Sequence, residues 1–506
     1  MMARVLERVR QRAAVEVADW VLSLKPLRRY ALARGDAALH DFYCVKRFEG
    51  LPLGVQEFRY RAITNLLHEM ERAVSDGRIS RRARQGLLRV FVANLVMNAR
   101  RNVAPFIAEH GFEPPAFVVV SPTQKCNLFC SGCYAASSSR ATATLSYEVF
   151  RRILAEKRDR WGSYFTVISG GEPLLYESQG KRLLDVFEEF NDTYFLFYSN
   201  GTLIDHNLAE RLAQLANVTV AISVEGFERE TDARRGSGTY RRIGRAMQSL
   251  RELGVPFGVS FTATRENADT LLSEEIIRHY FDEQGALYAW MFHYMPIGRS
   301  YTVDMMVTAE QRSRMLTRQL ELIRNRGLFF IDFWNGGPMS GGCLAAGRPG
   351  GYFHVDWNGD ISPCVFMPYA VDNVHEMYRQ KRDLTSVLNH PAFQALRAWQ
   401  TSYAGRDGRG PTHNLFTPCP LRDHHDEGRE ILVRFGARPI HEDAARALRD
   451  EEYRRRMVEY GKELSALLDP VWEREVGERG PEPGAVATLR PAAGAGHGHG
   501  LRPPVR

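Results

Sequence analysis

Residues 117–133 read Phe117-Val-Val-Val-Ser-Pro-Thr-Gln-Lys-Cys126-Asn-Leu-Phe-Cys130-Ser-Gly-Cys133. A short apolar, β-branched run that breaks at Ser-Pro predicts a buried strand, and the loop after it holds three thiols within eight residues. The chain downstream repeats that opening. Further β-rich runs fall at 165–169, 195–199, 218–223, 257–262 and 288–294, with helical patterns near 146–160, 181–191, 207–216, 240–253 and 272–285. Six strand–helix units in series predict an α/β fold with a parallel sheet and outer helices, either doubly wound or barrel-like. In barrels, chemistry sits at the C-terminal ends of the strands. The polar and cysteine-rich segments of this chain fall at those ends.

The full chain has 506 residues, 44% apolar and 25% charged, which allows two or three domains with a large buried core. Seven cysteines are too few and too unevenly spread for a disulfide framework, so they read as metal or catalytic thiols in a reducing compartment. No run approaches the roughly 18 apolar residues of a membrane span, and the N-terminus lacks a signal-peptide core. A cytoplasmic location is the expectation. Residues 1–100 carry 19 Lys/Arg against 10 Asp/Glu, a balance of +9; with +7 overall, the remainder sums to −2. Such a region could meet a membrane surface, nucleic acid or an acidic partner, or be an ordinary solvated, arginine-rich helical face.

Residues 1–112 are expected to be helical. The stretch 59–72 places Ile63, Leu66, Leu67 and Met70 at helical spacing. Ser80 opens a second segment with Leu87, Leu88, Val90, Phe91, Leu95, Val96 and Met97, flanked by arginines at 81, 82, 84, 100 and 101 in a basic amphipathic pattern. Glu113-Pro114-Pro115 marks a boundary. The core then runs over 113–305 and a connecting helix and linker over 306–336. A Gly-rich extension follows over 337–430, with a hairpin predicted in 352–361 turning at Asn358-Gly359. A helical segment occupies 431–476, and the Pro/Gly/Ala-rich tail 477–506, ending in His497-Gly-His499-Gly, is expected to be disordered.

Three thiolates leave one corner of a metal centre open, whereas structural zinc takes four protein ligands; soft thiolates favour an iron–sulfur cluster. The C-x3-C-x2-C loop after the first of six strands resembles the radical S-adenosylmethionine (SAM) superfamily, over roughly 117–300. Gly170-Gly171-Glu172-Pro173 follows the second strand, where the resemblance implies a seat for the methionine amino group. Tyr198-Ser199-Asn200-Gly201-Thr202 ends the third, implying contacts to the methionine part and ribose. Ser223 and Glu225 end the fourth, with Arg234 and Arg235 beyond them as candidates for the methionine carboxylate. The family often has an aromatic residue before the third cysteine, near the adenine; here that position is Gly132, with Tyr134 just after. The resemblance implies an iron–sulfur oxidoreductase. SAM is cleaved reductively at a [4Fe-4S] cluster held by Cys126, Cys130 and Cys133, and the 5′-deoxyadenosyl radical abstracts hydrogen from a substrate carbon.

Cys343-x15-Gly359-x4-Cys364 is similar to the opening of the SPASM extension, or its shorter twitch relative, which holds auxiliary [4Fe-4S] clusters. With Cys419 following, the resemblance implies one auxiliary cluster on three cysteines. Its fourth ligand would be substrate, water, His413, Asp423, His424 or His425; buried thiols and zinc are the other readings. Pro296-x-Gly298-Arg299 also resembles SPASM-bearing enzymes, at the barrel mouth. Cys44 reads as packing; Asp304, Asp332 and Tyr294 lie where a proton-transfer group could sit, and the structural reading of each is preferred. Peptide or protein modification is the expected reaction class, with a lipid or membrane-associated substrate, approached through the basic helices, second and a methylase-type outcome third. A donor such as flavodoxin or ferredoxin and no specific nucleic acid complete the expected partners. A non-catalytic iron–sulfur carrier or scaffold is the reading from another class, but it would have no use for Gly170–Pro173 as a SAM cradle.

Overall fold

The computed structural model of the chain describes residues 2–91 and 99–476. The expected tail, with its histidines, and Leu95, Val96 and Met97 of the basic segment lie outside the described residues. One ten-stranded sheet organises the rest. In chain order its strands are β1 (Val118–Val120), β2 (Phe165–Ile168), β3 (Tyr194–Ser199), β4 (Val218–Val224), β5 (Phe257–Ala263), β6 (Ala289–His293), β7 (Phe330–Asp332), β8 (His354–Val355), β9 (Asp360–Ser362) and β10 (Asp372–Asn373). Across the sheet the order is β10-β9-β8-β1-β2-β3-β4-β5-β6-β7. Every pair from β8 to β7 is parallel, and β9 and β10 are antiparallel additions.

The six expected strand–helix units are present as a partial α/β barrel, extended at both edges. Strand β7 lies in the stretch read as linker, behind helix Ala309–Arg324; three residues are too short a run to stand out by pattern. At the other edge the predicted hairpin forms, with His354 opposite Ser362 and Val355 opposite Ile361. Its loop is Trp357-Asn358-Gly359, closed by Asp356, whose Oδ1 accepts from the backbone N–H groups of Asn358 (2.8 Å) and Asp360 (2.9 Å). Gly359 takes φ +79°, the left-handed conformation that the turn requires. Because β8 pairs with β1, the extension is part of the barrel sheet rather than a separate module.

Strand alternation sorts the core. Val118, Val120, Ile168, Phe195, Phe197, Val220 and Ile222 pack with the outer helices, while Val119, Val167, Leu196 and Ala221 belong to the interior cluster. Helix starts follow side-chain capping: Ser146 Oγ accepts from Val149 N, Asp205 from Leu208 N and Thr308 from Gln311 N. The N-terminal region is helical as expected: Met2–Ser23, Lys25–His40, Leu53–Ser75, Arg81–Leu88 and Ala99–His110, with Ser80 capping the fourth through Ala83 N. These helices close the N-terminal end of the barrel over an apolar cavity of about 590 Å³. The expected C-terminal helical segment divides into His425–Arg434, Glu442–Arg449 and Glu451–Glu475, the last capped by Asp450. Among the described residues no helix is long and apolar enough to cross a membrane.

Candidate active site

At the opposite end of the barrel lies a cavity of about 440 Å³. Cys126, Cys130, Cys133 and Tyr134 of the loop after β1 line it, as do Gly170 and Gly171 after β2. Ser199, Asn200, Ser223, Arg234 and Arg235 complete the expected set on its wall. Glu172, Pro173 and Glu225 stand behind that wall. Among the described residues, no three His, Cys, Asp or Glu side chains converge on a point fit for a single metal ion. The three sulfurs flank a space instead, a donor set suited by chemistry to a multi-iron cluster. Burial pushes the Cys126 thiol up to about 12, so a metal would have to displace its proton.

The cysteine loop is held from several sides. Arg299 Nη1 donates to Cys130 O (2.5 Å), its backbone N–H to Cys133 O (2.9 Å) and Nη2 to Ser137 O, while the guanidinium lies 3.4 Å from the centre of the Phe129 ring. This is the work of Pro296-x-Gly298-Arg299. Gly298 must be glycine, because a Cβ there would sit 2.2 Å from Tyr134 O. From the β2 side, Gly171 N donates to Thr123 O (2.9 Å) and Glu172 N to Lys125 O (2.8 Å). Ser131 N donates to Arg234 O (3.1 Å), tying the loop to helix Glu228–Arg235.

Glu172 is fully buried, and burial raises its pKa to about 7. Its oxygens accept from Asn200 N (2.8 Å), Ser199 Oγ (2.9 Å) and Leu174 N (3.2 Å), so the carboxylate fixes the end of β3. Asn200 in turn donates to Asn127 Oδ1 (2.9 Å) inside the cysteine loop. Glu225, also fully buried, accepts from both Arg234 (2.6 Å) and Arg235 (2.5 Å) on one oxygen. Burial opposes the Arg235 charge, yet Glu225 and the sulfurs of Cys130 and Cys133 outweigh it and keep the guanidinium protonated. Two cations therefore share one carboxylate at the cavity wall, leaving positive charge for an anion. Gly132 leaves room for a neighbouring ring: a Cβ there would lie 2.5 Å from Tyr294, which lines the cavity. Tyr134 places its hydroxyl 2.5 Å from Ser169 Oγ.

Cys343, Cys364 and Cys419 line a second, smaller pocket of about 40 Å³. Tyr352 OH lies 2.9 Å from Cys364 Sγ, and Phe366 N donates to the same sulfur at 3.4 Å. None of the fourth-ligand candidates lines this pocket. Asp423 is locked to buried Arg312 (2.5 Å), His424 meets Thr417 O (2.9 Å), His425 meets Leu421 O (2.8 Å), and exposed His413 stacks on Tyr403. The two pockets share Phe333, Ser340, Leu344, Tyr352 and Phe366 as a common wall.

A radical SAM superfamily model matches residues 120–272, and an iron–sulfur cluster-binding SPASM model matches 343–412. The mycofactocin maturase MftC of Mycobacterium ulcerans (strain Agy99) is 32% identical over 312 residues, covering 58% of this chain and 80% of that protein. The chain belongs to the radical SAM superfamily. MftC of Mycolicibacterium smegmatis is 29% identical over 322 residues (60% of this chain, 74% of that protein). The sporulation killing factor maturation protein SkfB of Bacillus subtilis is 31% identical over 156 residues (31% and 37%). Among solved structures, Streptococcus suis SuiB bound to the precursor peptide SuiA overlays with a TM-score of 0.48 at 21% identity, covering 60% of this chain and 71% of that one. As a radical SAM enzyme with a SPASM domain, the protein uses SAM, a [4Fe-4S] cluster and auxiliary iron–sulfur chemistry. It cleaves SAM reductively to a 5′-deoxyadenosyl radical that abstracts hydrogen from a substrate carbon.

One residue of this radical SAM site escaped the sequence reading. His293, at the end of β6, lines the cavity and is 1% exposed. Its Nε2 lies 2.7 Å from Asp332 Oδ2 at the end of β7, so Nε2–H donates to the carboxylate. Its Nδ1 has no hydrogen-bonding partner among the described residues. Burial lowers the imidazole pKa to about 4, against the pull of Asp332. The signal was faint: a lone histidine in an aromatic strand is ordinarily core, and its partner sits on the strand that the pattern concealed.

Proposed function

We propose that this enzyme modifies a peptide or protein, with Cys126, Cys130 and Cys133 holding the SAM cluster and Cys343, Cys364 and Cys419 an auxiliary cluster. The observation that carries this reading is the common wall. Two three-thiol sites open on adjoining pockets, so a substrate lying over Phe333 and Phe366 can address both. The names of the relatives, a maturase and a maturation protein, support a peptide or protein substrate. When bound, the cluster and SAM supply the radical, and the auxiliary cluster supplies a site for an electron.

The chain's own residues do the rest. Arg234 and Arg235 take the methionine carboxylate, and the backbone carbonyls of Gly170 and Gly171 take its amino group. Ser199, Asn200 and Ser223 contact the methionine part and the ribose, while Glu172 and Glu225 hold their neighbours rather than the ligand. Tyr134 and Tyr294 flank the adenine in place of an aromatic at 132. Neutral His293, its ring oriented by Asp332, presents Nδ1 to the substrate as a hydrogen-bond acceptor. Phe292, Phe333 and Phe366 keep water away. A flavodoxin- or ferredoxin-type donor in the cytoplasm supplies the reducing electron.

The test is anaerobic reconstitution with iron and sulfide, followed by dithionite and SAM. Release of 5′-deoxyadenosine and about eight irons per chain are expected, with about half the iron lost on replacing Cys343, Cys364 and Cys419 by alanine. Intact SAM beside a reduced cluster would leave the carrier reading instead.

A further inference from the structure

Exposed apolar surface is concentrated on the N-terminal helices. Of the fifteen large apolar side chains exposed among the described residues, twelve precede residue 110. Val17 (60% exposed) and Trp20 (59%) share a face of helix Met2–Ser23, and Leu24, Leu27 and Tyr30 (66%) continue the patch into Lys25–His40. Exposed Lys25, Arg29 and Arg34 are interspersed with it and form no ion pair among the described residues. Over 17–34 the acid is Asp19, which is buried and committed to Arg81 and Arg84. An apolar strip with tryptophan, tyrosine and unneutralised cations complements the headgroup boundary of an anionic bilayer; a water-facing surface has no need of the apolar strip, and a subunit-facing one would have to desolvate the cations.

Beneath these helices lies the 590 Å³ cavity, walled by Leu32, Leu66, Met70, Leu87 and Phe91 and floored by Trp290 of the barrel. Packed interiors contain few voids larger than a water molecule, and this volume falls among ligand sites of roughly 300–1,000 Å³. Its walls offer little to a polar ligand, since Arg28 is paired with Glu71 and Arg84 with Asp19.

We propose that the N-terminal helices dock on an anionic membrane surface, with Val17 to Tyr30 in the interface, Lys25, Arg29 and Arg34 at the headgroups, and one apolar lipid chain in the cavity beneath. This inference is independent of the active-site assignments. It is tested with the full chain by co-sedimentation with vesicles of phosphatidylcholine alone or mixed with phosphatidylglycerol, across a salt series. Binding to the mixed vesicles that weakens as salt shortens the screening length is expected. Lys25→Glu/Arg29→Glu/Arg34→Glu should lower partitioning about a hundredfold, at about fivefold per basic residue, without changing 5′-deoxyadenosine release. For the cavity the probe is parinaric acid. Gly35 lines the space and a Cβ there meets nothing within 4 Å, so Gly35→Phe should fold, fill the cavity and lower uptake of the probe. The proposal is overturned by absence of binding to either vesicle, by binding indifferent to salt and charge reversal, by a dimer that Trp20→Glu dissociates, or by probe uptake unchanged in Gly35→Phe.

Discussion

Replacing Gly171 by alanine tests how the SAM cradle is registered against the cysteine loop. A Cβ on Gly171 would stand 2.2 Å from Lys125 O and 2.6 Å from Gln124 O, both backbone atoms of the segment that enters Cys126. Neither can rotate away, so the two segments must part by about 1 Å to reach ordinary contact. The cost combines overpacking, about 1–3 kcal/mol, with strain on the two backbone hydrogen bonds that join Thr123 and Lys125 to this turn, about 1 kcal/mol each. A total of roughly 3–5 kcal/mol falls on the loop that positions three sulfurs. Misplacing reacting groups by about 1 Å costs on the order of a hundredfold in rate. The assay is 5′-deoxyadenosine release from dithionite-reduced enzyme without substrate, with iron content measured in parallel. Gly244→Ala is the control, since its added Cβ meets nothing within 4 Å in helix Thr239–Glu252. A Gly171→Ala enzyme that retains its iron and cleaves SAM within twofold of wild type would refute the close-approach argument.

Three further predictions follow from buried groups. Glu225→Gln removes the carboxylate shared by Arg234 and Arg235 and should destabilise the enzyme by about 3–5 kcal/mol in denaturant titration; a loss below about 1 kcal/mol would show that the pairing carries little. His293 and His354 are buried, with pKa values lowered to about 4 and about 3. Their stabilisation is therefore complete above the unfolded value near 6.5 and lost as pH falls toward the folded values, at about 1.4 kcal/mol per pH unit for each. His354→Gln should flatten that acid slope by one histidine's share, and an unchanged slope between pH 6.5 and 4.5 would contradict the assignment. Tyr352→Phe removes the hydroxyl beside Cys364 Sγ and should lower the auxiliary-cluster potential, on the order of 50 mV in a redox titration; an unmoved potential would place that sulfur outside the cluster.

Much of this architecture was legible because local signals agreed with one another. The β-branched run at 117–120, the β-rich runs that follow it and the helix start at Ser80 each specify a local state that the fold uses. One edge of the sheet was hidden for a physical reason. Strand β7 has three residues and is stabilised by pairing with β6 rather than by its own pattern, and while β8 was visible as part of the hairpin, its pairing with β1 joins distant segments that no local pattern connects. Site residues were visible in kind but not in role. Glu172 and Glu225 carry the right chemistry at the right strand ends, yet neither lines the cavity: they hold the end of β3 and the two arginines that do. That choice depends on burial, which spacing does not encode. Tyr294 filling the space over Gly132, and His293 meeting Asp332, join residues from segments far apart in the chain. Such pairs exist only once the sheet has formed.

The central claim is that Cys126, Cys130 and Cys133 hold a cluster whose remaining iron faces the SAM cavity. Electron paramagnetic resonance of the reduced Cys343→Ala/Cys364→Ala/Cys419→Ala enzyme isolates that cluster. Adding SAM should change the g-values of the reduced signal, as a ligand arriving at a vacant iron must. A spectrum that ignores saturating SAM would contradict the account.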